Sequence, residues 1–190
     1  MVYSGIRGSW ERMSISLKFK PRSPNGVLLF NGGAGSFDVN QDYVIIQLRN
    51  GKVNFEYNMG SGPAKIEHYE IITLNAWNTV EVERFRKYGS ITVNSKAAQK
   101  GVSHGNSITL NLGPELIIGG AATTQLPGKP TQPTLGFHGC VQELVVNGKS
   151  VDLVREFTRY DDVTNCHSSV SPCQPSPCQN NATCQVIHFE

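Results

Sequence analysis

Five cysteines carry the plainest chemical signal in this 190-residue chain: Cys140, Cys166, Cys173, Cys178 and Cys184, with none in the first 139 residues. The last three fall in a Pro-, Ser- and Asn-rich tail too polar to bury a core of its own. Such density in a polar segment reads as the disulfide framework of a secreted module. Structural zinc is the competing use of cysteine. Zinc favours close Cys pairs followed by a second pair or by histidines, and only His188 follows Cys184. Asn181-Ala182-Thr183 is the only glycosylation sequon, which makes Asn181 the candidate acceptor and suits an exported chain.

Other reactive residues form no catalytic constellation. His68, His104, His138, His167 and His188 stand in unrelated contexts, without a His-x-x-x-His pair. Asn31-Gly32-Gly33-Ala34-Gly35-Ser36 is rich in glycine but lacks the Lys-Ser/Thr that a phosphate-binding loop needs. Glu81 and Glu83 alternate on one strand, a pattern that usually gives a solvated face. Arg84, Arg86 and Lys87 cluster at a strand end, with Lys96 and Lys100 soon after. Sulfated or uronic-acid glycans are polyanions, and such a cluster would attract them by charge that salt screens. A binding module is therefore expected, not an enzyme.

The elements that would position these residues are short strands and turns. Ser14 to Lys20 alternates polar and apolar residues, as do Val80 to Phe85 and Ser90 to Asn94. Gly26 to Phe30, Leu116 to Ile118 and Val141 to Val146 are apolar runs ended by glycine-containing turns. Val44–Leu48 and Val53–Tyr57 flank Asn50-Gly51, a strong hairpin signal because a type I′ turn needs positive φ at both central residues. Asp152 to Tyr160 is the one stretch that could form a short turn of helix. Gly and Pro total 29 residues (19 and 10), which suits many turns. About a dozen strands at regular spacing predict an all-β protein, an antiparallel β-sandwich, with a compositionally separate tail after Cys166.

Charge and hydropathy narrow the partners. Seventeen Lys and Arg against 15 Asp and Glu give a net charge of +2, without the basic excess of a nucleic-acid binder. No apolar run approaches the ~18 residues of a membrane span, so no membrane insertion is expected. Met1-Val2-Tyr3-Ser4-Gly5 opens no signal peptide. The expectation is therefore a piece of a larger secreted protein whose signal lies elsewhere.

Several motifs, in order along the chain, resemble those of laminin G-like domains. Asp42 to Gly62 is similar to the family's central hairpin, and Asn75-Ala76-Trp77-Asn78-Thr79-Val80 to its Trp-containing strand. Glu115-Leu116-Ile117-Ile118-Gly119-Gly120 is similar to its Leu-x-Ile-Gly-Gly element. Phe137-His138-Gly139-Cys140-Val141 resembles its closing Phe-x-Gly-Cys-Ile strand. The resemblance covers about residues 9–166 and implies a laminin G-like jelly roll over 1–167, with Cys140 bonded to Cys166. Residues 168–190 resemble the opening of an EGF-like repeat. That likeness implies a Cys173–Cys184 pair and leaves Cys178 without its partner, or bonded between chains.

The laminin G resemblance also implies Ca²⁺ at one edge of the sandwich. Its ligand positions fall on Asp42, the Met59 carbonyl, the Thr109 carbonyl and Asn111. All four offer oxygen, the donor that calcium prefers. Asn111 stands where many relatives carry Asp, which leaves one formal negative charge and implies affinity on the order of 10⁻⁴–10⁻³ M. Asp38 is a rival first ligand, and Asp42 and Asn111 are both types that turns favour. The family likeness implies secretion to the matrix or cell surface. It also implies calcium-dependent binding of acidic glycan of the α-dystroglycan or heparan sulfate type. The alternative it carries is neurexin-type adhesion, in which rim loops grip a folded protein receptor.

Overall fold

A computed structural model describes residues 1–4, 8–32, 41–120, 136–160, 163 and 166. Asp38, Cys173, Cys178, Asn181 and Cys184 lie outside the described residues.

Fifteen strands occur among the described residues. They are β1 (Val2–Ser4), β2 (Gly8–Trp10), β3 (Arg12–Pro21), β4 (Gly26–Gly32), β5 (Tyr43–Arg49), β6 (Lys52–Asn58), β7 (Ala64–Ile71) and β8 (Asn78–Phe85), then β9 (Tyr88–Val93), β10 (Gln99–Val102), β11 (Leu110–Leu112), β12 (Glu115–Ile118), β13 (Gly139–Val146), β14 (Lys149–Ser150) and β15 (Phe157–Arg159). One sheet runs β15-β1-β12-β4-β5-β6-β7 and the other β10-β9-β8-β3-β13-β14, with β11 and β2 forming a two-stranded ribbon. Among the described residues every pairing between these strands is antiparallel, so the chain is the expected β-sandwich, a jelly roll.

Alternation builds the core. Met13, Ile15, Leu17 and Phe19 of β3 point inward against Val80 and Val82 of β8 and against Val44, Ile46, Phe55 and Tyr57 of the facing sheet. β4 and β5 are instead buried nearly throughout, because Val27, Phe30, Tyr43, Ile45, Val2 and Ile117 make a second cluster. Burial on both faces is why Gly26–Phe30 reads as a continuous apolar run. Two inward positions are glycine for lack of room. Gly89 and Gly101 pair across β9 and β10, and a Cβ on either would lie 2.6 Å from Tyr57 or Ile66.

The hairpin at Asn50-Gly51 has φ of 51° and 77°, the two positive values its turn type requires. The stretch from Asp152 meets the expectation of a short helical turn in part, since Asp152 O accepts from Glu156 N at 3.0 Å. It makes a turn in which Asp152 Oδ1 accepts from Val154 N (2.9 Å) and Arg155 N (3.1 Å), and the chain then extends as β15 along β1. An aspartate that satisfies its own following amides offers the backbone an alternative to helix.

Cys140, opposite Lys20 in the β13–β3 register, is bonded to Cys166, 26 positions on. Closing a loop of that size is worth about 3 kcal/mol in the chain-entropy model. Exchange of both cysteines for serine should lower the melting temperature by roughly 6–12 °C and keep the far-UV spectrum of a β-sandwich. A shift under about 2 °C in differential scanning calorimetry would show that the segment ending at Cys166 is held by other contacts.

Candidate metal centre

The four predicted ligand positions come from three parts of the chain. Asp42 immediately precedes β5 and Met59 immediately follows β6. Their ladder ends at the Tyr43–Asn58 pair, so Asp42 and Met59 face each other one step beyond it. Asn111 is the middle residue of β11, with Thr109 just before that strand. The Asn111 backbone amide donates to Asp42 Oδ2 at 2.7 Å and its side-chain Nδ2 donates to the same oxygen at 3.1 Å. Residues 69 positions apart thus meet at one rim. Gly113 N donates to Gly32 O at 2.7 Å, which ties the exit of β11 to the end of β4.

A buried cation braces the same rim from beneath. Arg84 is 1% exposed. Its Nη1 donates to Met59 Sδ (3.2 Å), Arg86 O (2.6 Å) and Ile108 O (3.3 Å), and its Nη2 donates to Trp10 O. It therefore reaches Met59 itself and the residue before Thr109. Burial lowers the Arg84 pKa, while Tyr57, Asp42 and Glu11 act in the opposite sense. Beyond Met59, Asn58 Oδ1 accepts from Gly60 N and Gly62 N, both at 3.1 Å, and fixes the turn.

The donor set fits a hard divalent cation in type. It has one carboxylate, one side-chain amide that keeps its oxygen free to accept while Nδ2 donates, and two loop carbonyl positions.

The expected basic cluster is not one surface. Arg84 is removed from it, because the alternation of β8 puts residue 84 on the inward side with Val80 and Val82. That alternation was the available sequence signal. Arg86 is exposed but its Nε pairs with Glu11 at 3.1 Å. Lys87 is half-buried, and its carbonyl accepts from Tyr57 Oη at 2.6 Å and Ser103 N at 3.0 Å. Gly101-Val102-Ser103-His104-Gly105 has the Gly-x-Ser-x-Gly spacing of a nucleophile elbow. It is no elbow: Ser103 is 3% exposed and follows an edge strand into a loop, not into a helix.

The sequence and the fold are similar to those of known proteins. A family model described as the Laminin G domain matches residues 19–149. The basement membrane-specific heparan sulfate proteoglycan core protein of Mus musculus is 38% identical over 184 residues, 97% of this chain and 5% of that protein. Pikachurin of Rattus norvegicus is 29% identical over 98% of this chain and 19% of its own length. Neurexin-2 of Homo sapiens is 32% identical over 90% and 11%. The chain thus spans a small part of each of these relatives. Among solved structures, domains LG4-5 of the mouse laminin alpha1 chain superpose with a TM-score of 0.68 at 23% identity, covering 80% of this chain and 40% of that one. The LG1-3 region of the laminin alpha2 chain also gives 0.68, at 22% identity, over 83% and 31%.

Proposed function

The chain belongs to the laminin G domain family, and from that premise we propose that it is an extracellular recognition module which binds acidic glycan through a calcium-bearing rim. The observation that carries the reading is the meeting of Asn111 and Asp42, whose amide and carboxylate share Oδ2 across the end of the sandwich. Asp42 and Asn111 would hold Ca²⁺ with their side chains, and Met59 and Thr109 with their carbonyls. When bound, the ion supplies open coordination positions that an acidic sugar oxygen can fill. Arg84 sets the spacing of the Met59 and Ile108 segments, and Asn58 shapes the turn between Met59 and Gly62. The glycan class is sulfated or uronic-acid polymer, of the kind carried by α-dystroglycan or heparan sulfate, presented in the matrix or at the cell surface. The module is taken as residues 1–167, with 168–190 as the beginning of an EGF-like repeat.

Asp42→Ala should abolish calcium binding in calorimetry, from a starting affinity on the order of 10⁻⁴–10⁻³ M, while thermal unfolding stays cooperative. Capture of acidic glycan should then lose its calcium-dependent part. Unchanged calcium affinity in the variant would refute the ligand set. Calcium-independent capture of a folded receptor, with no glycan captured, would favour the protein–protein mode of adhesion.

A further inference from the structure

The outer face of the six-stranded sheet carries a row of side chains that the rim does not use. In register across β10, β9, β8 and β3 stand Val102, Tyr88, Phe85 and Arg12. Three are apolar and exposed, Val102 by 51%, Tyr88 by 65% and Phe85 by 47%. A second row on the same face, Lys100, Ser90, Glu83 and Ser14, is polar. The two rows line an open depression of about 740 Å³.

Each group has a distinct capacity. Arg12 lies over the Phe85 ring at 5.2 Å and Arg86 over the same ring at 5.4 Å, so Phe85 serves to hold guanidinium groups. Arg86 is further committed to Glu11. That leaves Arg12, beyond Phe85 at the β3 end of the first row, and Lys100, diagonal to Tyr88 at the β10 end of the second, as the cations of the two rows, against Glu83 in the second row. An aromatic face, two cations, two hydroxyls and one acceptor side by side suit a ligand with an apolar ring face, many hydroxyls and an anionic group. Acidic sugars combine all three. A peptide would instead add to β10, the edge strand of this sheet among the described residues, where recognition runs through the backbone.

We propose that this face, centred on Tyr88 between Arg12 and Lys100, is a second glycan subsite that takes an anionic oligosaccharide without calcium. It rests on the acidic-glycan reading above but shares no residue with the rim ligands. The probe is a heparin-derived octasaccharide, titrated in chelator into the isotope-labelled chain. Amide shifts should centre on Arg12, Ser14, Tyr88, Ser90 and Lys100. The double variant Tyr88→Ala with Lys100→Gln should weaken this binding by about ten-fold, since one stacking face and one charge are lost. Both residues are exposed, so an unchanged fold is checked from the dispersed spectrum of the same sample. Asp42→Ala should leave the chelator-resistant binding intact, and a neutral maltooligosaccharide of equal length should not bind. Affinity unchanged in the double variant, shifts centred elsewhere, or no octasaccharide binding in chelator would overturn the subsite. Equal affinity and the same shifts with polyglutamate would overturn the glycan class. A calcium-dependent increment that survives Asp42→Ala counts against the rim alone and leaves this result standing.

Discussion

Arg84→Ala is expected to destabilise the sandwich by about 3–5 kcal/mol in urea unfolding, more than any surface substitution in the chain. The guanidinium is 1% exposed and sits at the inward end of β8. It donates to three backbone carbonyls, those of Trp10, Arg86 and Ile108, and to the Met59 thioether. Truncation leaves those carbonyls buried without their donor, each at a cost of ~1–3 kcal/mol before relaxation, and opens a cavity besides. Water entering that cavity can recover part of the loss, which keeps the total near the stated range. Arg84→Met separates the two causes, because it restores most of the volume and none of the donors. A loss that persists in the methionine variant measures the unsatisfied carbonyls, whereas full recovery would assign Arg84 to packing. Calcium affinity should fall in both variants, since Met59 and Ile108 lose their common tie. Stability within about 1 kcal/mol of the parent for both would show that the guanidinium is not a brace.

The same residue shows where the sequence was legible and where it was not. The alternation of Val80 to Phe85 announces a strand and already puts residue 84 inward, yet charge type argues for the surface, since arginine is rarely fully buried. Only the segments that converge on it, the end of β2 at Trp10 and the loops at Met59 and Ile108, reveal what it bonds, and their paths leave no local pattern. Asn50-Gly51 is the opposite case: its turn requires only local φ values, and the hairpin follows. The rim sits between these. Asp42 and Asn111 lie 69 positions apart, so nothing in their spacing joins them. The family resemblance brings them together on paper, and two hydrogen bonds do so in space. β15 was hidden for a related reason, as its pairing with β1 joins the two ends of the described fold. The row of Val102, Tyr88, Phe85 and Arg12 likewise exists only once three strand registers are known.

Gly139→Ala should cost about 3 kcal/mol or more, and the reason lies in the Phe137-His138-Gly139-Cys140 motif itself. Gly139 has φ of +153°, a backbone state that side chains resist. It opens β13 directly opposite Pro21 of β3. An added Cβ would lie 2.3 Å from Lys20 O, 2.8 Å from Phe137 Cζ and 2.9 Å from Pro21 Cα. Two of those atoms are backbone and cannot rotate away, so β13 must separate from β3 at its first residue. Cys140 moves with it, which strains the link to Cys166. Phe137 must also shift from its edge-on contact with Phe19, whose ring centroid is 6.3 Å away. Gly148→Ala is the matched control. Gly148 also has a positive φ, +77°, but nothing lies within 4 Å of its would-be Cβ. That change should cost only the ~1–2 kcal/mol of a left-handed non-glycine residue. The difference between the two variants in chemical denaturation therefore isolates the steric part. Equal losses would mean that β13 can retreat from β3 freely, and the closing strand would then owe its place to the disulfide and not to the ladder.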